Sequence, residues 1–474
     1  MAVLFLLIVV GQWGAAPGAD ASIRKAPYLI YTGSPTEIKV LWQLSATEQC
    51  TIEWGFDETY ALGNAVTSEY GPDHQHAYTV PALAPGAWYC YRVTAGSEQS
   101  TGTFRAAPAP GTTKLKFFAY GDTRTYPADH DAVAASIIRA YTADPELQTL
   151  ILCAGDLVYN GDLETDWDSQ FFGGAYSNIR SMLAHLPYQA CMGNHENTGA
   201  GFVKYFPYPF IADRYWSFDY GPAHFAVVDQ YVPYDSGSVQ LAWLEDDLAA
   251  TARPWKFVLF HEPGWSAGYH SNDATVQTCI QPLCEEYGVT VVFAGHNHYY
   301  ARAVVNGVQH ITTGGGGAPL KAPVGGYPNV VDTAMALHHC EIEIDGGYLY
   351  FKAVTPEDSV IDYFDISLPG AGAGQDEGGC AHSGLWLGTV VPNPFRLTAA
   401  VSYSLPQPSA ARLAVYNVTG QLVTTLLDED VAAGPHDATW DGRDAAGRRV
   451  SAGLYLLRLE AGGARCTTKV MLRD

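Results

Sequence analysis

The chain has 474 residues, too many for one ordinary domain at roughly 150 residues each and about right for three. With 47% hydrophobic and 12% aromatic residues against 16% charged, it holds enough apolar material for several packed cores, which excludes a largely disordered chain. Its 49 acidic and 26 basic side chains leave a net charge of −23, which argues against nonspecific binding to nucleic acid or anionic lipid, because both need a positive surface.

The chain opens on an apolar run, Ala2 to Val10, of signal-peptide length and too short to span a bilayer. Small residues follow, ending in Ala19-Asp20-Ala21. Residues 1–21 are therefore expected to be a signal peptide and the product to be secreted, extracellular or attached to the cell surface. No Lys or Arg precedes the run, and a buried N-terminal strand is the alternative. No later segment offers about twenty consecutive apolar residues, so no transmembrane span is expected.

From residue 22 to 106 short alternating strands, Ile38–Trp42, Thr51–Trp54 and Trp88–Val93, are separated by turn residues, a spacing that predicts a β-sandwich. The run Leu83-Ala84-Pro85-Gly86-Ala87-Trp88-Tyr89 resembles the tyrosine-corner segment of fibronectin type III domains. Residues 107–114, rich in Pro and Gly, read as a linker. Over 115–368 the apolar runs Leu115–Tyr120, Thr149–Cys153, Trp255–Phe260 and Val289–Phe293 alternate with helical patterns such as Leu241, Leu244 and Leu248. That alternation predicts an α/β domain with a two-layered β core flanked by helices. Hairpins are expected at Asn306-Gly307 and Asp345-Gly346-Gly347. A Gly-rich stretch, 369–384, reads as a flexible linker, and 385–474 returns to short strands. There Pro392-Asn393-Pro394-Phe395, Trp440-Asp441-Gly442-Arg443-Asp444 and Ser451-Ala452-Gly453-Leu454-Tyr455 resemble the Ig-like domain of flagellar hook-capping proteins and type IX secretion sorting domains. The resemblance implies an export or surface-attachment role, with an accessory sandwich as the alternative.

Nine cysteines leave at least one unpaired thiol, and their spacing matches no zinc pattern. Cys153 and Cys191, inside apolar runs, are expected to be buried core thiols. Cys279 and Cys284, close in sequence, are the favoured disulfide, although five residues on a helix align two side chains poorly.

Five motifs in the middle region each follow an apolar strand-like run: Gly121-Asp122-Thr123-Arg124, Gly155-Asp156-Leu157-Val158-Tyr159, Gly193-Asn194-His195-Glu196, Val258-Leu259-Phe260-His261 and Gly295-His296-Asn297-His298. Strand ends are where an α/β sheet presents ligands. Carboxylate, phenolate, amide oxygen and imidazole together suit iron, manganese or zinc, and a bridging carboxylate can hold two ions about 3.5–4 Å apart. Such a pair would attract an anionic substrate despite the far field. Gly314-Gly315-Gly316-Gly317 lacks the Lys and Ser or Thr of a phosphate-binding loop and reads as a tight turn beside the metals; no Ser nucleophile elbow is present.

The order and spacing of these motifs resemble the purple acid phosphatase branch of the calcineurin-like metallophosphoesterases, and Ala26-Pro27-Tyr28-Leu29 with its sandwich resembles that family's N-terminal domain. The fold implied is a fibronectin III-like β-sandwich, an α/β metallophosphoesterase sandwich and a C-terminal Ig-like β-sandwich. The resemblance implies Fe(III) held by Asp122, Tyr159 and His298, a bridging Asp156, and a divalent Zn, Mn or Fe held by Asn194, His261 and His296. It places His195 over the phosphate as general acid or hydrogen-bond donor, and His270 at a second substrate-facing position or on an exposed loop. Arg124 stands where the branch has Gly and the wider superfamily a His ligand. Protonated, it cannot be a ligand; it either clamps phosphate or pairs with a carboxylate. Tyr299, Tyr300 and Arg302 either line the cleft or pack. The implied activity is hydrolysis of phosphate monoesters, with a phosphodiesterase or nucleotide hydrolase as the alternative and a catalytically silent surface-binding protein behind both. No nucleic-acid-binding surface is evident, and the remaining partners implied are outer-membrane export machinery or the cell surface.

Overall fold

A computed structural model describes residues 21–71, 73–143, 149–368, 380–382, 385–391, 393–405, 407–418, 420–462 and 464–473. The expected signal peptide, apart from Ala21, lies outside the described residues, as does most of the expected Gly-rich linker.

The N-terminal segment folds into a three-stranded sheet, with Ile23–Tyr31, Ile38–Leu44 and Gln75–Val80, and a four-stranded one, with Cys50–Gly55, Gly63–Thr67, Trp88–Ala95 and Glu98–Arg105. The alternation seen in the sequence puts Val40, Trp42, Ile52, Tyr91 and Val93 into a shared core. Ala84 donates its N–H to the Tyr89 hydroxyl at 2.8 Å, closing the corner before Trp88–Ala95. The first strand also serves the next domain: Tyr28, Ile30 and Tyr31 are buried in the central core, and the Tyr28 hydroxyl donates to the Tyr205 carbonyl at 2.7 Å. Lys25, with no exposed side-chain surface, meets Glu164 at 2.6 Å and Asp168 at 2.5 Å. Within the expected linker, 107–114, Ala107 is 5% exposed and the Pro110 carbonyl accepts from Arg253, so the segment is tied to the central domain at both points.

The central domain is two sheets face to face. One runs Tyr188–Ala190, Ile151–Cys153, Lys114–Tyr120, His339–Asp345, Tyr348–Val354, Val360–Ser367; its first three strands are parallel and the rest antiparallel. The other runs Trp216–Tyr220, Ala223–Val227, Trp255–Leu259, Val291–Ala294, Val308–Thr313, Tyr300–Val305, Val330–Ala334, with the four strands from Ala223–Val227 to Val308–Thr313 parallel. Phe117 of the first sheet meets Phe225, Phe257 and Phe293 of the second edge to face, with centroids 5.1–6.3 Å apart. This geometry adds to the burial of the rings themselves. On the outer face of the second sheet the helix Val239–Ala250, capped by Ser238 accepting from Leu241 N, buries Leu244 and Leu248 with Val258, Phe260 and Val292. Both expected hairpins form; the first turns on Asn306 and Gly307 at φ 49° and 90°, the paired left-handed conformation that a two-residue turn requires.

The C-terminal segment is a sandwich of two four-stranded sheets around Leu413, Val415, Trp440, Leu457 and Leu459. Its first strand, Cys380–His382, lies inside the stretch expected to be linker and pairs antiparallel with Leu385–Val391. Cys279 and Cys284 are free thiols, not a disulfide: the half-exposed Cys279 and the buried Cys284 point to different sides of the helical run Val276–Glu286. Cys153 and Cys191 are buried and free, as expected.

Candidate metal centre

All five motifs lie just past the carboxyl ends of parallel strands, three on one sheet and two on the other. Asp122 follows Lys114–Tyr120, Asp156 follows Ile151–Cys153, Asn194 follows Tyr188–Ala190, His261 follows Trp255–Leu259, and His296 and His298 follow Val291–Ala294. Packing the sheets therefore brings the two donor sets together. The chain must reverse sharply to aim each donor inward: Asp122, Asp156 and His296 have φ of 56°, 56° and 67°, a conformation that side-chain-bearing residues rarely hold without compensation from their surroundings. A Cβ on Gly295 would lie 2.4 Å from Asp122 Oδ2, and one on Gly316 2.4 Å from the Gly121 carbonyl. The glycine run is thus a close approach against the first motif, with Gly316 N donating to Gly121 O at 2.9 Å.

Atoms of Asp122, Asp156 and His261, all buried, converge within 4.8 Å of one another. Asp156 Oδ1 is 3.3 Å from His261 Nε2, and Asn194 Oδ1 is 3.1 Å from both His261 Nε2 and His296 Nδ1. His298 Nε2 is 3.6 Å from Asp122 Oδ1. The outer nitrogens are fixed by carbonyls: His261 Nδ1 donates to Ala154 O at 2.6 Å and His298 Nδ1 to Pro319 O at 2.9 Å. A carbonyl only accepts, so Nε2 is the atom left on each ring to take a proton or an ion.

Burial, with Asp156 alongside, pushes the Asp122 carboxyl up to about 7. For His261 burial opposes the charged ring, but the Asp156 carboxylate outweighs it and pushes the imidazole up to about 10. Burial, then His261 and His270, pull His296 down to about 2; burial, then Arg124, pull His298 down to about 4. An Asp122 carboxyl that draws a proton and a His261 ring charged against Asp156, beside His296 and His298 rings held neutral, form an electrostatic environment in which a multivalent cation replaces the protons. The donor set fits iron, manganese or zinc.

The remaining expected residues fall around this cluster. His195 N donates to Asp156 Oδ1 at 2.9 Å; its ring Nδ1 donates to the Tyr159 carbonyl at 2.6 Å, leaving Nε2 3.9 Å from Asp156 Oδ2. His270 is held through its N–H to Asn297 Oδ1 at 2.9 Å, and its ring lies 4.0 Å from that of His296, so it faces the centre. Tyr159 is 56% exposed, with its ring beside His195 and Arg124. Arg124 reaches inward, Nε 3.1 Å from Asp156 Oδ2 and Nη2 3.2 Å from His298 Nε2. Tyr299 and Tyr300 are buried packing residues, and Tyr300 and Arg302 both bond Asp362 rather than lining the cleft.

Sequence reasoning missed the supports. Buried Glu196 accepts from the backbone N–H of Asp156, Leu157 and Gly193 at 3.0, 2.8 and 2.7 Å, tying the second motif to the third. Gln170 Oε1 accepts from Thr125 N and Tyr159 N, and Gln230 Oε1 from His261 N. Glu196 could have been found from its place directly after Asn194-His195; the two glutamines carry no sequence signal.

Residues 116–300, which carry all five motifs, match the family described as calcineurin-like phosphoesterase. Within that family the domain is purple acid phosphatase-like. The chain is 26% identical over 339 residues to acid phosphatase type 7 of Homo sapiens, covering 63% of this chain and 75% of that protein. It is 32% identical over 193 residues to purple acid phosphatase 18 of Arabidopsis thaliana, covering 35% of this chain and 43% of that one. In fold it is similar to the purple acid phosphatase PPD1 of yellow lupin, with a TM-score of 0.60 at 20% identity over 73% of this chain and 75% of that one. Residues 396–464 match the FlgD Ig-like domain family.

Proposed function

We propose that the protein is a secreted phosphoesterase that hydrolyses phosphate monoesters at a dinuclear metal centre. The observation that carries this reading is the convergence of Asp122, Asp156 and His261 with Asn194, His296 and His298 at the strand ends. Asp122, His298 and Tyr159 would hold Fe(III), Asn194, His261 and His296 a divalent ion, and Asp156 would bridge. Bound there, the ions neutralise phosphate oxygens and supply a hydroxide near neutral pH.

The chain's own groups do the rest. His195, whose Nδ1 is committed to the Tyr159 carbonyl, has Nε2 free to donate to the ester or leaving-group oxygen. His270, anchored by Asn297, offers a second donor beside His296. Hydrolysis of diesters or nucleotides would use the same centre, because no group named here reads the leaving group. The N-terminal sandwich is proposed to be fibronectin III-like, and the C-terminal one to act in export or surface attachment, the type IX sorting role that its sequence resembles.

Metal content and steady-state rates on an aryl phosphate monoester and diester, measured on one sample, test the proposal. Two ions per chain and a higher kcat/KM for the monoester are expected; His195→Ala should lower turnover with both ions retained. A metal-loaded protein inactive on both esters would overturn the enzymatic reading, and diester preference would overturn the substrate assignment.

A further inference from the structure

Arg124 makes the two proposed metal positions unlike. Asn194 Oδ1 lies 3.1 Å from both His261 Nε2 and His296 Nδ1, and no guanidinium or ammonium group is among the described contacts of these atoms. Around Asp122 and His298 a guanidinium is already present. Arg124 donates to Asp156 Oδ2 at 3.1 Å and to His298 Nε2 at 3.2 Å, and its side chain is only 12% exposed. These are two of the atoms that an ion at this position would use.

The two contacts differ in what they exclude. A carboxylate oxygen has lone pairs for both a guanidinium and an ion. An imidazole nitrogen has one. Since His298 Nδ1 donates to the Pro319 carbonyl, and a guanidinium is only a donor, the single Nε2 lone pair is committed to Arg124. A metal ion binding His298 must break that bond and repel the guanidinium as a like charge. Nη1 already donates to Thr125 Oγ1 at 3.3 Å, a contact that does not involve His298.

Resting on the dinuclear reading above, we infer that Arg124 is an internal competitor for the ion held by Asp122 and His298. The centre then fills in order, the Asn194, His261 and His296 position first and tightly, the Asp122 and His298 position second and only by displacing the guanidinium. Arg124 thus sets how many ions the protein carries at a given metal supply.

Metal-stripped full-length protein titrated calorimetrically with Zn²⁺ as the sole metal tests this. The wild type is expected to bind one ion tightly and a second at least tenfold more weakly, a gap of at least about 1.4 kcal/mol. Arg124→Gly, and Arg124→Gln as a neutral variant that keeps most of the side-chain bulk, should tighten the second ion at least tenfold and shift the first less than threefold. Two ions of equal affinity in the wild type, or a gap unchanged in variants whose circular dichroism is native, would overturn the inference and leave the dinuclear reading standing. A wild type that takes up at most one ion at millimolar Zn²⁺, with variants that do the same, would overturn both.

Discussion

Removing the carboxylate of Glu196 should loosen the metal centre without touching a metal ligand. Its two oxygens receive three backbone N–H groups, from Asp156, Leu157 and Gly193, and the side chain has no exposure. Glu196→Gln keeps one acceptor oxygen and turns an amide N–H₂ toward the donors that shared the other. The amide oxygen can stand in for Oε2, which takes two of the three bonds, or for Oε1, which takes one, so at least one bond is lost, at roughly 1.5–3 kcal/mol. For a domain of this size each kcal/mol is worth about 2–4 °C, so the melting temperature should fall by at least roughly 3 °C. Differential scanning calorimetry reads this, with the transition of the C-terminal sandwich as an internal reference. Zinc affinity should fall with stability, because Asp156 and Asn194 sit on the two loops that Glu196 ties together. A central-domain transition within about 2 °C of wild type would refute the reasoning.

Two further perturbations lie away from the centre. His224 bridges Asp219 and Asp247 at 2.8 Å on each side; burial opposes its charge, but the two carboxylates outweigh burial and raise its pKa. A raised pKa means stabilisation that is complete below the unfolded value near 6.5 and is lost as pH rises through the folded one. His224→Gln should therefore cost more stability at pH 6 than at pH 9 in urea unfolding, and an equal or larger cost at pH 9 would refute the pairing. Asp362, fully buried, receives Tyr300 at 2.7 Å, Arg302 at 2.6 Å and Arg473 of the C-terminal sandwich at 2.6 Å. Asp362→Ala leaves two guanidinium groups facing each other and should destabilise the protein by about 3–5 kcal/mol; a loss under about 1 kcal/mol, the range of a surface pair, would show that the network is solvated.

The centre was legible because its requirements are local. A donor just past a buried strand must follow an apolar run, and Gly121, Gly155, Gly193 and Gly295 mark where backbone passes close to a ligand. Strand alternation likewise located Ile38–Leu44 and Trp88–Ala95 to within two residues. What was not legible depends on distant chain segments. Gln170 is an ordinary helical glutamine until folding places it over Thr125 and Tyr159, and Arg124 reads equally well as phosphate clamp or ion-pair partner until His298 is placed 3.2 Å from it. The cysteines at 279 and 284 misled because close spacing favours a pair only off a helix; on the helical run Val276–Glu286 five residues turn the second side chain about 140° from the first. Cys380–His382 was hidden by a composition that permits a linker but does not demand one.

The first strand, Ile23–Tyr31, places the Tyr28 hydroxyl on a carbonyl 177 residues later and that of Tyr31 on one 188 residues later. A ribosome has to deliver most of the central domain before that strand can find its final partners. Until then Tyr28, Ile30 and Tyr31 lack the central-domain core in which they are buried. Assembly from the amino end is thus ruled by a long-range closure, which is slow in proportion to the sequence separation that it bridges. Deleting the N-terminal sandwich would therefore strip the metal-bearing sheets of part of their own core.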